Sequence, residues 1–524
     1  MTHYSTIADA TSSRAGGGDT MRSRRRGRKD IRHGGGQASM VSSVVNLLNT
    51  IVGAGTLAMP SILSHMGIML GTLLIVWSGC MAAFGLYLQS KCARYLDRGT
   101  SSFFALSQIT YPNAAVLFDL AIAVKCFGVG VSYMIIIGDL MPGVVLGFND
   151  QANGYPYLVD RHFWITAFML LVIPLAFLRR LDSLKYTSLI ALVSIGYLIV
   201  LVIYHFAVDS HASPEDIRVI KWAGPIQTLS ALPVVVFAYT CHQNMFSIMN
   251  EIKDNSPSSI TRVIGSSIGL AAVIYIVVSI AGYITFGNAI VANIISILDP
   301  TGVASTIGKA AIVVLVLFSI PLQVHPCRAS LDAVMKWRPN RGPTLAPVRP
   351  ASPLLHAPAT RSDHGGQAAM SDGRFALLTT VILILSYITA LSVSSLDRVL
   401  AFVGSTGSTS ISFILPGLFY YKISDPESIH HQRLIKEDDD IDEVSDSEIA
   451  DSAVTVAGST ASLLSASETG TTLTNNWRWR RKWRWDLEHI DQGLLRKLSL
   501  SLAVYGIIVM TVCLILNIFF VHRT

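Results

Sequence analysis

Residues 46–60 read NLLNTIVGAGTLAMP and lie inside an apolar run, Met40 to Leu63, long enough to cross a bilayer. At the middle of that run stand Gly53-Ala54-Gly55-Thr56, where each glycine costs a helix roughly 1 kcal/mol against alanine, and Pro60 follows. A plain membrane anchor has no use for such a stretch. A helix broken near the bilayer midplane does, because exposed backbone is tolerated in hydrocarbon only where it lines a cavity and binds something. The other reading is close helix packing, with Gly53 and Gly55 letting a neighbour approach.

Around this stretch the composition is that of a polytopic membrane protein: 524 residues, 51% hydrophobic, 14% charged, mean hydropathy +0.49. Six cysteines, Cys80, Cys92, Cys126, Cys241, Cys327 and Cys513, fall in or at the ends of apolar runs without disulfide or zinc spacing, and read as small buried hydrophobes. Residues 1–39 carry no cleavable-signal pattern. They hold a basic cluster, Arg22, Arg24, Arg25, Arg26, Arg28, Lys29 and Arg32, which suits a disordered cytosolic flank rather than a nucleic-acid signal.

Apolar runs recur at bilayer-crossing length, and eleven spans are expected. They are Met40 to Leu63, Ile68 to Cys92, Ala114 to Gly143, His162 to Leu178, Leu184 to Phe206, Ile226 to Asn250, Thr261 to Phe286, Ala304 to Cys327, Arg374 to Val393, Asp397 to Tyr421 and Leu498 to Phe520. With the N-terminus in the cytosol, Arg94, Arg98, Arg179, Arg180, Lys253, Arg328, Lys336 and Arg338 fall on the cytosolic side. Little beyond Arg161, Arg218 and Lys221 falls opposite, which is consistent with the positive-inside bias.

The domain plan is therefore a tail (1–39), spans one to eight (40–328), a Pro/Gly/Ala-rich flexible loop (329–373), spans nine and ten (374–421), a long polar loop (422–497), and the last span with its short tail (498–524). The long loop holds an acidic run, Glu437 to Glu448, containing Ser445 and Ser447, read as a phosphorylation region or a plain solvated tether. It ends in WRWRRKWRW, Trp477 to Trp485, whose alternating aromatic and cationic side chains suit the headgroups of an anionic leaflet better than nucleic acid. Asp491-Gln492-Gly493-Leu494-Leu495 fits a dileucine sorting pattern but stands close to the membrane.

Transporter logic asks for a second break one structural repeat later. The sixth span supplies LPVVVFAYTCHQN, Leu232 to Asn244, in which Leu232-Pro233 is expected to open a helix ending at Glu251. Its aromatic, hydroxyl, imidazole and amide side chains turn inward, away from lipid. Five spans precede this one, so two five-span units would have opposite orientations.

NTIVGAGTLAMP, FGVGVSYMIIIGDLMP (Phe127 to Pro142), LPVVVFAYTCHQN followed by Glu251, and SIPLQVHPCR (Ser319 to Arg328) together resemble the amino acid/auxin permease family, most closely its fungal vacuolar amino acid transporters, with the sodium-coupled neutral amino acid transporters as animal relatives. The resemblance spans the membrane core from about Ser42 to Tyr421 and the last span. It implies an all-α, leucine-transporter-like fold of five plus five inverted spans and one extra, with first and sixth helices broken, moving amino acids by alternating access.

On that reading the amides of Ala54, Gly55 and Thr56 take the substrate carboxylate, aided by the helix dipole, and Gly53 and Gly55 permit the approach. The ammonium goes to carbonyls freed near Thr50, Ile51 and the Phe237-Ala238-Tyr239 segment, while Phe237, Tyr239, Thr240 and Tyr133 face the side chain. In sodium-coupled relatives an asparagine of the first span and a hydroxyl of the eighth hold the ion, matching Asn49 and Ser319; a Ser319 hydroxyl bonded to its own preceding turn is the alternative. For a proton-driven protein the pH-range side chain beside the break is His242, and Glu251 at the cytosolic end of the span could gate by pairing with a basic loop residue. Lys125 in the third span is expected to snorkel toward the cytosol or to pair with Asp119 rather than to act as an intramembrane charge, and Asp139 to reach water.

The expectation is a monomeric, proton-coupled transporter of amino acids in a vacuolar membrane, needing no cofactor and binding no nucleic acid. Sodium-coupled symport at the plasma membrane and amino acid sensing without transport are the alternatives. No nucleophile, base and orienter set and no phosphate loop point to an enzyme.

Overall fold

The computed structural model describes residues 36–96, 99–178, 187–209, 211–298, 302–336, 370–428, 430–432 and 492–519. The basic tail cluster, Arg179 and Arg180, the acidic run with Ser445 and Ser447, and Trp477 to Trp485 lie outside these residues.

The first span is two helices. Helix α1 (Met40–Ile51) starts where the Ser39 hydroxyl accepts from the Ser42 amide, and helix α2 (Ala54–Met66) leaves at 54° to it across Val52-Gly53. Pro60 stays inside α2 and is not the breaking residue. Helix α3 (Ile68–Ala93) then returns, followed by the short α4 (Phe103–Thr110), the 34-residue α5 (Ala115–Phe148), α6 (Arg161–Ala176) and α7 (Thr187–Val208).

The sixth span is also two helices, α8 (Pro225–Ala238) and α9 (His242–Glu251). Here the sequence expectation needs correcting: Leu232-Pro233 opens nothing. Pro225 takes the first helical position, where its missing N–H costs nothing, Pro233 rides within the helix, and the break lies at Tyr239 to Cys241. Helices α10 (Pro257–Phe286), α11 (Val303–Lys336), α12 (Asp372–Ser392), α13 (Leu396–Val403), α14 (Leu415–Ile423) and α15 (Gln492–Phe519) follow. Two π-helical turns, Gly404–Ser408 and Ser410–Ile414, join α13 to α14 into one span.

Among the described residues eight helices are long and apolar enough to cross a membrane, and α1 with α2 makes a ninth. The other two expected spans correspond to the 16-residue α6 and to α8 with α9, all shorter than a full crossing. The protein is an all-α membrane protein whose outward faces are aliphatic: Leu377, Val381, Ile384 and Ile388 of α12, and Val504, Ile507, Ile508 and Ile515 of α15, are exposed where lipid is the solvent. Five cysteines are buried, and Cys80 is exposed.

The two broken spans run antiparallel. At one end Ala38, ahead of α1, donates its amide to the Glu251 carbonyl and accepts from Lys253, both at 3.0 Å. At the other, Ile68 donates to the Arg218 carbonyl (2.9 Å), Ala223 to that of His65 (3.2 Å), and the Arg218 guanidinium to that of Ser64 (2.7 Å). The start of the first span meets the end of the sixth and vice versa, the relation inverted halves require. Midway, a Cβ on Gly55 would lie 2.6 Å from the Ala238 Cβ, so α2 and α8 approach as only glycine allows.

Candidate functional site

Breaking a helix leaves amides at one new end and carbonyls at the other. Here four such ends converge on a cavity of about 380 Å³, lined from α1 and α2 by Asn46 and by Asn49 to Gly55, from α5 by Lys125, Val129 and Tyr133, and from the sixth span by Phe237, Ala238, Thr240, Gln243 and Asn244. Helix α11 closes it with Ser319 and Gln323.

Position N1 of α2 is Ala54, and its cap residue Gly53 supplies no side-chain hydrogen bond, so the Ala54 and Gly55 amides have no partner inside their own helix. The Thr56 amide does: it donates to the Gly53 carbonyl at 3.0 Å, tightening the first turn. Of the three amides expected to hold a carboxylate, this one is already engaged. The carbonyl ends are likewise partly occupied. The Tyr275 hydroxyl, from α10, lies 2.7 Å from the Ile51 carbonyl and 2.8 Å from that of Ala238, bridging both breaks with a single donor. Each carbonyl keeps a second lone pair. At the sixth break the Thr240 amide donates to the Phe237 carbonyl (3.0 Å) and its hydroxyl to that of Val236 (2.7 Å). The Asn244 amide group donates to the Thr50 hydroxyl at 2.9 Å, tying the two broken spans together.

The structure brings Asn49, Thr50, Ile51, Gly53, Ala54, Gly55, Tyr133, Phe237, Ala238, Thr240 and Ser319 to this one cavity. Thr56, Tyr239, His242 and Glu251 do not line it. Thr56 is fully buried in α2. Tyr239 packs edge-on against Tyr275 (ring centroids 5.1 Å apart) and beside Gly79, so it buttresses the break instead of facing the cavity. His242 is fully buried behind it, near Gly85 of α3, and its carbonyl accepts from Gln89 at 2.9 Å. Glu251 is exposed at the end of α9 and makes no side-chain ion pair among the described residues; its backbone carbonyl, not its carboxylate, holds Ala38. Ser319, on the cavity wall, donates its hydroxyl to the Leu315 carbonyl at 2.8 Å.

Lys125 departs from the sequence reading. It is 4% exposed, lines the cavity, and neither snorkels nor pairs with Asp119. Six residues along a helix is about 600°, so the two side chains point a third of a turn apart. Asp139 sits 3.4 Å from the Arg161 guanidinium, both only partly exposed.

Sequence reasoning placed Gln243 and Asn244 on an inward-turned face without giving them a role, and missed Tyr275, Asn46 and Gln323. Two had a signal: Asn46 lies three residues before Asn49 and Gln323 four after Ser319, one helical turn along the same face. Tyr275 lies on an otherwise apolar span and had none.

The cavity lining runs from the breaks toward the side that carries Asn46, Asn244, Gln323 and Pro326. Toward the opposite side every residue of α2 except Ser64 and His65 is buried. The cavity is thus sealed on the far side by packed protein.

The chain matches the model of the transmembrane amino acid transporter protein family over residues 36–439. It is 43% identical over 391 residues to vacuolar amino acid transporter 5 of Schizosaccharomyces pombe, covering 74% of this chain and 86% of that protein. It is 42% identical to vacuolar amino acid transporter 6 of Saccharomyces cerevisiae (74% and 90% covered) and 26% to sodium-coupled neutral amino acid transporter 7 of Mus musculus (75% and 82%). With its first and sixth spans broken around one cavity, and with these matches across most of its length, the chain belongs to the transmembrane amino acid transporter family and is a transporter rather than an enzyme.

Proposed function

We propose that the protein carries amino acids across the vacuolar membrane by alternating access, driven by the proton gradient. The observation that carries this reading is the cavity itself. It has room for one small solute, and it offers amides at the start of α2 and carbonyls at the ends of α1 and α8, complementary to a carboxylate and an ammonium one carbon apart. Both groups need such partners once stripped of water. The vacuolar naming of the 43% and 42% identical relatives supports the membrane and the substrate class.

With the N-terminus in the cytosol, as the positive-inside bias favours, the cavity lies toward the cytosolic side and the conformation is inward-facing. The complementary state would open the seal formed by α2, Arg218 and Ser64. Protons are the coupling ion of this proposal, with His242 as the imidazole beside the sixth break; Asn49 and Ser319, both on the cavity wall, are where sodium would bind in the alternative. The Trp477 to Trp485 segment rests on anionic cytosolic headgroups in this picture, and the working unit is a monomer.

The test is uptake of labelled amino acids by liposomes holding the purified protein, under imposed pH and sodium gradients, with choline replacing sodium. Uptake that follows the pH gradient in choline is the expected result. Uptake that needs sodium and ignores the pH gradient overturns proton coupling, and binding without flux would make the protein a sensor.

A further inference from the structure

The central cavity contains one side chain able to carry a full charge. Among its lining residues Lys125 is the sole ionisable acid or base of the Asp, Glu, Lys, Arg and His types, and no carboxylate faces it. Lys125 is 4% exposed and forms no ion pair among the described residues. Its stem is fixed from behind: a Cβ on Gly407, in the first π-helical turn, would lie 2.8 Å from the Lys125 Cβ, so the tenth span closes over that face of α5. Burying an ammonium without a counter-ion is expensive. A site that keeps one is completed by an anion arriving from outside.

We propose that Lys125 is the charge-selecting residue of the cavity, and that amino acids with an anionic side chain are the favoured substrates over neutral and cationic ones. The proposal rests on the amino acid reading above and deepens it. The α-carboxylate of any amino acid is met by the amides of Ala54 and Gly55, and its ammonium by the carbonyls at Ile51 and Ala238. Those groups are common to all amino acids and leave Lys125 unspent. What remains is the side chain. A sphere of the cavity's volume is about 9 Å across, so a side-chain carboxylate held there stands within several ångströms of the ammonium. At the effective dielectric of such sites that distance is worth about tenfold to a hundredfold in binding, and a cationic side chain is disfavoured by a similar factor. Glutamine, which matches glutamate in shape, lacks the gain.

The experiment measures kcat/KM for glutamate, glutamine and lysine in liposomes containing the full-length protein, as wild type, Lys125→Met and Lys125→Arg. The readout is the glutamate-to-glutamine ratio, from which a folding or insertion defect common to both substrates cancels. The expected result is a wild-type ratio of about ten or more, collapse of that ratio in Lys125→Met, and its retention in Lys125→Arg. An equal ratio in wild type and Lys125→Met overturns the assignment, as does a wild type that takes lysine as readily as glutamate. If glutamine moves but the ratio ignores Lys125, this inference fails while amino acid transport stands. If no amino acid moves, transport fails, and the same ratio read by ligand binding to the detergent-solubilised protein still decides the role of Lys125.

Discussion

Replacing Gly55 and Gly53 by alanine, one at a time, separates the two roles a glycine pair can have at a helix break. A Cβ on Gly55 would lie 2.6 Å from the Ala238 Cβ and 2.8 Å from its Cα, and neither atom can swing aside because one is backbone and the other is fixed to it. Ordinary carbon contacts are 3.5–4.0 Å, so α2 and α8 must part by roughly 1 Å. Overpacking of this kind costs about 1–3 kcal/mol, offset by up to about 1 kcal/mol of helix propensity returned by alanine. The larger consequence is for the site. A displacement of that size carries the Ala54 and Gly55 amides out of hydrogen-bonding range of a carboxylate, and each charge-assisted bond is worth about 1.5–3 kcal/mol, or about tenfold to a hundredfold in affinity.

At Gly53 the same addition meets only the Tyr133 hydroxyl, at 3.9 Å. Gly53→Ala therefore leaves the packing of α2 on α8 intact and removes a methyl's worth of cavity. Thermal unfolding of the detergent-solubilised protein and labelled amino acid binding read both effects. Gly55→Ala is expected to lower Tm and affinity together, and Gly53→Ala to keep Tm while losing affinity most for bulky substrates. Wild-type Tm and affinity in Gly55→Ala would refute the close-approach argument, as would a Gly53→Ala variant that unfolds as readily.

Tyr275→Phe removes the hydroxyl shared by the Ile51 and Ala238 carbonyls; a lower Tm, by a stability loss of about 1–3 kcal/mol, and reduced uptake are expected, and unchanged unfolding would show the bridge to be idle. Asn244→Ala severs the link to the Thr50 hydroxyl and should cost about 0.5–1.5 kcal/mol, with a Thr50→Ala, Asn244→Ala double-mutant cycle showing non-additivity. With Cys80 replaced, a cysteine at Asn46 should react with a membrane-impermeant maleimide added from the cytosolic side and be protected by substrate, while one at the buried Ile62 should not react; labelling of Asn46→Cys from the far side alone would reverse the assigned orientation. Outside the membrane, the Asp160 carboxylate is held below its usual value by the His162 side chain and by backbone amides at the start of α6. A depressed folded pKa stabilises above the unfolded value and is lost as pH falls through the folded one. The Tm gap between wild type and Asp160→Ala should thus persist from pH 7 to pH 5 and close below about pH 4.

What the sequence made legible, and what it hid, follows from where the cause of each feature lies. The first break was readable because its cause is local: Gly53-Ala54-Gly55-Thr56 violates helix propensity in a place where nothing but function or packing would tolerate it. The sequence offered cavity lining and close packing as rival explanations, and the structure shows both: Gly53 and Gly55 line the cavity, and Gly55 also makes the close contact with Ala238. That contact depends on a residue 183 positions away, since 238 − 55 = 183. The second break was placed too early because Pro233 is the loudest local signal in its span, yet a proline can ride inside a buried helix. The break itself falls where Tyr239 packs edge-on against Tyr275 and where the Tyr275 hydroxyl donates to the Ala238 carbonyl.

Lys125 was misjudged for a related reason. A lysine three turns into a span invites snorkelling or a nearby acid, and helical geometry already argued against Asp119 as that acid. What could not be seen was Gly407 closing over its stem and a cavity waiting at its tip. The same logic explains why Tyr275 matters more than its surroundings suggest. A substrate ammonium competes for the carbonyls of Ile51 and Ala238, and a phenol can donate to only one of them at a time. The hydroxyl therefore keeps the empty site from paying the full desolvation penalty of two orphaned carbonyls, while leaving lone pairs for the ligand to use. A site satisfied without its ligand, but only partly, can both release and rebind it, which is what a carrier requires of a cavity that must also exist empty.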